Sequence, residues 1–214
     1  MSRTPDGINE GFRAGLAGGV VDTAVGVPKS REEMFEFYSF IRRGTLDAES
    51  REGRGGLEFP AGYMFKEPPK WEADDMTDPV DMLLAELDAV GITHAIINVD
   101  DEAAARAFRD HPGRFSAQIN VDPNEGMDAV RRIGRFHEEF GLKAVGAFPA
   151  GLTPQVPLND KKWYPVYAKC VELGIAFCST VGVPGPRLPF ACQDVALVDE
   201  VDRKSTRLNS SHRT

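Results

Sequence analysis

Residues 78–98 read DPVDMLLAELDAVGITHAIIN, and this stretch decides the fold. Asp78 is a residue type that caps helices and Pro79 suits the first helical position, after which apolar residues recur every three or four positions. This spacing predicts a helix with one buried face. Gly91 can adopt the left-handed conformation that ends helices, and the apolar run 92–98 has the length of a strand. The stretch therefore predicts a helix followed directly by a buried strand.

The same unit recurs along the chain, with a glycine between each helix and the strand after it. The further glycines are Gly113, Gly141 and Gly174. The other predicted strands cover 19–25, 115–121, 142–148 and 175–180. The later helices are predicted to begin near Glu125 and Trp163. Strands that are almost continuously apolar are typical of a parallel sheet covered by helices. Two α/β architectures fit, a doubly wound open sheet and a (β/α)8 barrel, and both bind ligands at the carboxyl ends of their strands.

Composition limits the class of protein. The 214 residues are 42% hydrophobic and 27% charged, as in a globular domain, and the formal net charge of -8 argues against nucleic acid as the main partner. No apolar run reaches the roughly 18 residues of a membrane span and no signal peptide precedes the first strand, so we expect a cytoplasmic protein without a membrane partner. The chain has three cysteines, an odd number, which favours reduced thiols over a set of disulfide bonds. Small molecules are the expected partners.

The chain divides into a flexible N-terminus, 1–18, a barrel portion, 19–201, and a tail, 202–214. Within the portion 19–201 we predict a helix from Lys29 to Arg43. The long connection 44–77 carries several aromatic residues, which favours a lid or a binding loop. Packing of this loop on the barrel rim is the alternative.

The tail is expected to be foreign to the fold. Residues 202–212, DRKSTRLNSSH, match the conceptual translation of a sequencing adapter, so we predict a non-native segment that follows a helix from about Gln193 to Val201. A genuine disordered polar tail is the alternative.

Polar residues at the carboxyl ends of the predicted strands are the candidates for a site. They are Asp22, Asn98, Asp100, Asp101, Asn120, Asp122, Ser179 and Thr180, followed by Arg187 in the loop after strand five. Asp22 and Asp122 are the predicted catalytic residues, since a carboxyl group there can act as general acid or base. Arg187 and Phe148 are the predicted substrate contacts, Arg187 through a bidentate contact with a carboxylate.

Each candidate also has a structural interpretation. Asp100, Asp101 and Asp122 have the positions of helix caps, and Asp22 that of a carboxylate that anchors a loop. Arg187 suits an ordinary surface position equally well. Cys178, inside a predicted strand, is expected to be buried in the core.

Four stretches together resemble the amidohydrolase-related family. They are VVDTAVGVP (20–28), FPAGYMFKEPP (59–69), GLKAVGAFPAG (141–151) and WYPVYAKCVELGIAFCSTVGVPGP (163–186). The resemblance covers roughly 19–201 and implies the front part, about five βα units, of a (β/α)8 (TIM) barrel. It further implies metal-dependent hydrolysis of a C–N or C–O bond, or non-oxidative decarboxylation, of a small organic substrate.

The resemblance also implies a divalent metal, typically zinc, held partly by a His-x-His pair at the end of strand one. Aligned on Asp22, those two positions hold Ala24 and Gly26, and the position of a further histidine after strand five holds Val183. None of these side chains can bind a metal, so no metal ligand is assigned. His94, His111, His137 and Lys143 occupy the strand starts or a helix, where structural roles are expected.

Two functions follow as hypotheses: an enzyme with a degenerate metal site, or an inactive barrel that binds a ligand or a partner. A homo-oligomer of the full-length protein is one alternative for its assembly. Because five strands cannot close a barrel, we expect the isolated chain to expose strand edges, to be inactive, and to be poorly soluble or molten.

Overall fold

The structure, a computed structural model, describes residues 19–29, 33, 78–184 and 188–210, with side chains described as far as Asp202. The described part contains five strands: β1 (Val20–Val25), β2 (Ile92–Asn98), β3 (Phe115–Asn120), β4 (Ala144–Ala147) and β5 (Ala176–Ser179). All of them belong to one sheet, in the order β1-β2-β3-β4-β5, and every neighbouring pair is parallel.

This sequential strand order decides between the two architectures. A doubly wound sheet reverses its strand order at a switch point, whereas each strand here adds to the same side of the one before it. The prediction of a partial (β/α)8 barrel is therefore confirmed. The segments 1–18 and 44–77, and all of 29–43 except Lys29 and Glu33, lie outside the described residues.

Five helices alternate with the strands in the described part: α1 (Pro79–Ala89), α2 (Glu102–Asp110), α3 (Met127–Phe140), α4 (Tyr164–Leu173) and α5 (Val195–Ser210). The predicted start of α1 is confirmed, since Asp78 Oδ1 accepts a hydrogen bond of 2.8 Å from Val80 N and Pro79 is the first helical residue. Gly141 and Gly174 end α3 and α4 with φ of 61° and 64°, in the left-handed conformation expected of them.

The last helix differs from the prediction at its end. α5 begins at Val195 and continues past Val201 to Ser210, because residues 202–210 contain neither proline nor glycine to interrupt it. A helical backbone is compatible with a native or a foreign sequence, so the assignment of 202–214 as non-native stays a prediction.

The core lies between the sheet and the helices. Ala95, Ile97 and Ile119 of the strands are fully buried in one cluster with residues of α1, α2 and α3. The alternate positions of β2 and β3 point to the other face, which becomes the interior of a closed barrel, and they are only partly buried: His94, Ile96, Asn98, Ser116 and Gln118.

The prediction that Cys178 is buried is wrong. Cys178 lies on β5, where burial alternates and the side chain is exposed. β5 is an edge of the described sheet, so only the outward positions of this strand are covered. A run of apolar residues therefore indicated the strand correctly but not the burial of each of its faces.

Candidate functional site

A cavity of about 450 Å³ opens at the carboxyl ends of β1, β2 and β3. We call it the mouth cavity, and its lining residues are Ala24, Val25, Gly26, Val27, Lys29, Asn98, Asp100, Asp101, Ala104 and Gln118. This is the end of the strands at which enzymes with parallel barrels hold their substrates. Three of the lining residues, Asn98, Asp100 and Asp101, were predicted from the sequence as candidates.

Asp101 connects the segment after β1 to the start of α2. Its side chain caps α2, with Oδ1 accepting a hydrogen bond of 3.1 Å from Ala104 N, and Oδ2 pairs with the Lys29 ammonium group. Partial burial raises the pKa of Asp101, but the bonds from Lys29 and Ala104 outweigh it and the net pKa lies below its ordinary value. The carboxylate therefore stays ionised at neutral pH as the partner of Lys29.

Asp100 connects the mouth cavity to α3. Arg132 Nη2 donates to Asp100 Oδ2 at 3.0 Å, and Arg132 Nη1 donates to the backbone oxygen of Asn120 at 2.9 Å. The same guanidinium group lies 5.6 Å from the centre of the Phe136 ring. Arg132 thus fixes the loop after β2 against the end of β3, and it balances the charge of Asp100.

Two amide side chains lie next to each other in the mouth cavity. Asn98 and Gln118 are Cα partners in the pairing of β2 with β3, and both line the cavity. Asn98 Oδ1 is buried and has no hydrogen-bond partner among the described residues. Buried polar atoms are normally paired, so Asn98 Oδ1, which has almost no accessible surface, is an exception among the described residues.

The two predicted catalytic carboxylates are engaged with backbone groups nearby. Asp22 Oδ1 accepts from Ala24 N at 3.0 Å, and Asp122 Oδ1 accepts from Asn124 N at 2.8 Å and caps the short 3-10 helix Pro123–Glu125. Neither residue belongs to the lining of the mouth cavity, although Ala24, which Asp22 anchors, does. Their catalytic roles stay predictions.

The predicted substrate contacts lie away from the mouth cavity or outside the described residues. Phe148 follows β4 and packs against a small cluster of Ala150, Leu188 and Cys192. Arg187 lies outside the described residues. A substrate contact of either residue stays a prediction.

Sequence analysis did not single out Gln193, which is fully buried and joins the loops after β4 and β5. Its Oε1 accepts from Ala150 N at 3.1 Å, and its Nε2 donates to Gly182 O at 2.9 Å. Its backbone oxygen accepts from Gly182 N at 2.8 Å as well. No local pattern marks a glutamine for such a role, because both of its partners are distant in sequence.

Replacing Gln193 with leucine in the full-length protein is expected to lower the free energy of unfolding by about 2 kcal/mol, because a buried backbone group, Ala150 N–H, and a partly buried one, Gly182 C=O, lose their partners. Urea unfolding followed by circular dichroism measures this. Gln155→Leu is the matched control, since Gln155 also binds this region, through Ala150 O and Pro189 O, but lies where water can replace it. Equal losses in the two variants would contradict the prediction.

The histidines have structural surroundings in the described part. His94 Nδ1 lies 2.9 Å from Gly113 O and Nε2 lies 2.8 Å from Ser116 Oγ, so both ring nitrogens are paired. His111 ends α2 and His137 belongs to the last turn of α3. Lys143 directly precedes β4, at the end of the sheet opposite the mouth cavity.

The described residues do not fit the metal that the resemblance implies. No group of three or more His, Cys, Asp or Glu side chains comes together in the described ranges. Ala24 and Gly26 line the mouth cavity but offer no ligand atom, and Val183 is 77% exposed to solvent. The carboxylates of the cavity, Asp100 and Asp101, are already paired with Arg132 and Lys29.

One protein family matches the sequence of the chain. A family model described as "Amidohydrolase" matches residues 40–210, which is most of the chain. None of the curated proteins compared with the chain matches it.

Among the described helices, none has the length and apolar character needed to cross a bilayer.

Three solved structures are similar to the chain. A 5-carboxyvanillate decarboxylase from Novosphingobium aromaticivorans, complexed with manganese and 4-hydroxy-3-methoxy-5-nitrobenzoic acid, is 23% identical over 76% of this chain and 50% of its own, with a TM-score of 0.50. The decarboxylase LigW from Sphingomonas paucimobilis is 17% identical over 77% and 52%, with a TM-score of 0.49. An uncharacterized TIM-barrel protein from Bordetella bronchiseptica is 16% identical over 86% and 61%, with a TM-score of 0.48. The chain spans about half the length of the two decarboxylases.

Proposed function

Because the chain belongs to the amidohydrolase family, we propose that it forms part of an enzyme that acts on a small organic substrate at the mouth cavity. The reaction is hydrolysis of a C–N or C–O bond, or non-oxidative decarboxylation, which are the activities that the family resemblance implies. The observation that carries the proposal is the mouth cavity itself, a volume of about 450 Å³ at the carboxyl ends of three adjacent parallel strands.

The polar groups of the mouth cavity are held in place by neighbours, as a binding site requires. Lys29 is held by Asp101, and Asp100 is held by Arg132. Side chains fixed by such second contacts lose little freedom when a ligand binds, so they position a substrate at a low entropic cost. Asn98 and Gln118 supply hydrogen-bonding groups to the same volume.

Proton transfer is assigned to Asp22, with Asp122 as the second candidate. Asp22 holds the backbone of Ala24, a residue of the cavity wall, so its carboxyl group lies close in sequence and structure to the mouth. Phe148 and Arg187 remain the proposed substrate contacts from the loops after β4 and β5. We derive no step through a metal, since the described residues do not fit one.

An inactive barrel that binds a ligand or a partner is the second candidate. The observation that favours it is the absence of ligand atoms at Ala24, Gly26 and Val183, three positions where the family resemblance implies metal ligands. In either case we propose a cytoplasmic protein whose partner is a small molecule, and not nucleic acid or a membrane; the net charge of -8 supports the exclusion of nucleic acid. A homo-oligomer is one alternative for the full-length protein.

A product assay distinguishes these functions. The full-length protein is purified and incubated with benzamide, phenyl acetate and a hydroxylated benzoate, and we expect release of ammonia, acetate or carbon dioxide, respectively, from at least one of them above the rate without protein. The assay is repeated with Zn²⁺ or Mn²⁺ added and with chelator. Binding of these compounds without any product under all conditions would favour the inactive barrel.

A further inference from the structure

We propose that the ammonium group of Lys29 supplies the positive charge of the mouth cavity in place of a metal ion. In this role Lys29 binds an oxygen atom of the ligand and stabilises the negative charge that develops on that atom. The inference rests on the proposed function and deepens it, because it names the group that carries the charge at that site. No covalent bond to Lys29 forms or breaks in this role.

Lys29 lies on the segment that, by the family resemblance, would carry two metal ligands. β1 ends at Val25, and the residues that follow it include Gly26 and Lys29, both in the wall of the mouth cavity. Ala24 and Gly26 occupy the positions of the implied His-x-His pair, and neither offers a ligand atom. The segment after β1 therefore brings a cation to the cavity while it lacks the ligands for a metal.

Among the described residues that line the mouth cavity, Lys29 is the only one with a positively charged side chain. This side chain is 24% exposed, so it is largely enclosed by protein but still accessible. Arg132 is not a lining residue, and it pairs with Asp100. A charge in a partly enclosed cavity is screened less by solvent than one on an open surface, so Lys29 attracts an oxygen atom of a ligand more strongly there.

Asp101 holds the ammonium group of Lys29 in position. Asp101 Oδ2 accepts a hydrogen bond from Lys29 Nζ, and Asp101 Oδ1 accepts one from Ala104 N at the start of α2. An ammonium group has three N–H donors, and the bond to Asp101 uses one of them. A cation that is fixed in this way needs little rearrangement when negative charge develops on a ligand, which makes it effective in stabilising that charge.

The same arrangement disfavours a divalent metal. Lys29 would repel a cation bound in the same cavity, because both charges are positive. Asp101 is already paired with Lys29. Asp100 is likewise paired, with Arg132. A metal in an enzyme of this kind binds and polarises a substrate oxygen, and an ammonium group stabilises charge on such an oxygen by hydrogen bonding.

The test uses the full-length protein and variants of two lysines. Lys29→Met keeps the approximate length of the side chain and removes its charge, whereas Lys29→Arg keeps the charge. Lys169→Met is the matched control, because Lys169 is also a paired lysine, bonded to Glu172 on α4 away from the mouth cavity. The metal content is measured by mass spectrometry after purification without chelator, and the melting temperature of every variant is measured in parallel.

Ligand binding is measured first, because it does not require turnover. Benzoate is the probe, since its carboxylate presents the oxygen atoms that an ammonium group binds. In a ligand-observed NMR titration we expect Lys29→Met to weaken benzoate binding about tenfold, as the loss of a hydrogen bond to a charged group implies. Lys29→Arg should retain most of the affinity, and Lys169→Met should bind benzoate like the unsubstituted protein.

Turnover is measured with the substrate that reacts best in the product assay. We expect Lys29→Met to lower kcat about 10²-fold, as the removal of one charge-stabilising donor implies, and Lys29→Arg to recover part of this loss. Dialysis against EDTA should leave kcat unchanged, and the metal content should lie well below one ion per chain. A purely structural lysine would instead lower the melting temperature of Lys29→Met and leave kcat unchanged.

Stoichiometric metal, absence of benzoate binding, or unchanged benzoate affinity in Lys29→Met would overturn the inference. These outcomes are separate from failure of the proposed function. Turnover that does not depend on Lys29 keeps the function and rejects the inference, whereas benzoate binding through Lys29 without any product keeps Lys29 as the charge of the mouth cavity and rejects the enzyme.

Discussion

Replacing Trp163 with alanine in the full-length protein is expected to lower the free energy of unfolding by about 3–5 kcal/mol, a large part of the total for a domain. Trp163 is fully buried between α4 and β5, and its ring lies 6.2 Å from that of Tyr167 and 5.5 Å from that of Phe177. Its Nε1 also donates to Val156 O at 3.3 Å. Alanine would leave a cavity and an unpaired backbone oxygen. Urea unfolding followed by circular dichroism measures the loss.

Val171→Ala is the control for this prediction, because Val171 lies on α4, the helix that Trp163 precedes, but is 52% exposed. Its replacement should change the unfolding free energy by less than about 0.5 kcal/mol. The same titration, repeated on the isolated chain of residues 1–214, tests the expectation that this chain is molten. A molten chain would unfold gradually and would respond little to the loss of Trp163. A sharp transition that Trp163→Ala shifts strongly would contradict the molten state and support the packing of α4 on β5.

Replacing Asp22 with asparagine is expected to reduce kcat by about 10²- to 10⁴-fold, the usual contribution of a group that transfers a proton. Asparagine keeps a carbonyl oxygen that can accept from Ala24 N, so the backbone of the cavity wall should keep its shape while the ionisable group is lost. The product assay gives kcat and KM for the substrate that reacts best. A melting temperature close to that of the unsubstituted protein shows that the fold is intact.

Asp128→Asn is the control for this experiment, because Asp128 lies at the start of α3 and pairs with the exposed Arg131, away from the mouth cavity. Asp122→Asn tests the second candidate by the same measurement. Full activity of Asp22→Asn would assign Asp22 the purely structural role of anchoring Ala24. A loss confined to Asp122→Asn would move the proton-transfer role to the end of β3.

Local sequence signals were sufficient to predict which segments form helices and strands, although not where α5 ends. Capping by Asp78, the apolar period of α1 and the glycine stops at Gly141 and Gly174 act within a few residues, so they can be found without a fold. The predicted strand 92–98 agrees with β2 at both ends. The resemblance to the amidohydrolase family also came from the sequence, and the match over residues 40–210 confirms it.

The composition of the site was only partly predictable. Asn98, Asp100 and Asp101 were found as residues at strand ends, and all three line the mouth cavity. Lys29, Gln118 and Gln193 were missed as site or supporting residues, because each acquires its role through a partner on another strand or loop. For Asp22 the position on β1 predicted a side chain in the mouth cavity. Asp22 is not among the lining residues of that cavity, and its carboxylate accepts a hydrogen bond from Ala24 N of its own strand.

The sequence by itself determined the alternation of helices and strands, their direction and the family, because these depend on interactions between near neighbours. Only the tertiary structure decided which polar side chains meet. Lys29 and Asp101 are 72 residues apart, and the two are paired because the ends of β1 and β2 lie next to each other in a parallel sheet. Pairings at this distance depend on strand order and register, which local propensities do not encode.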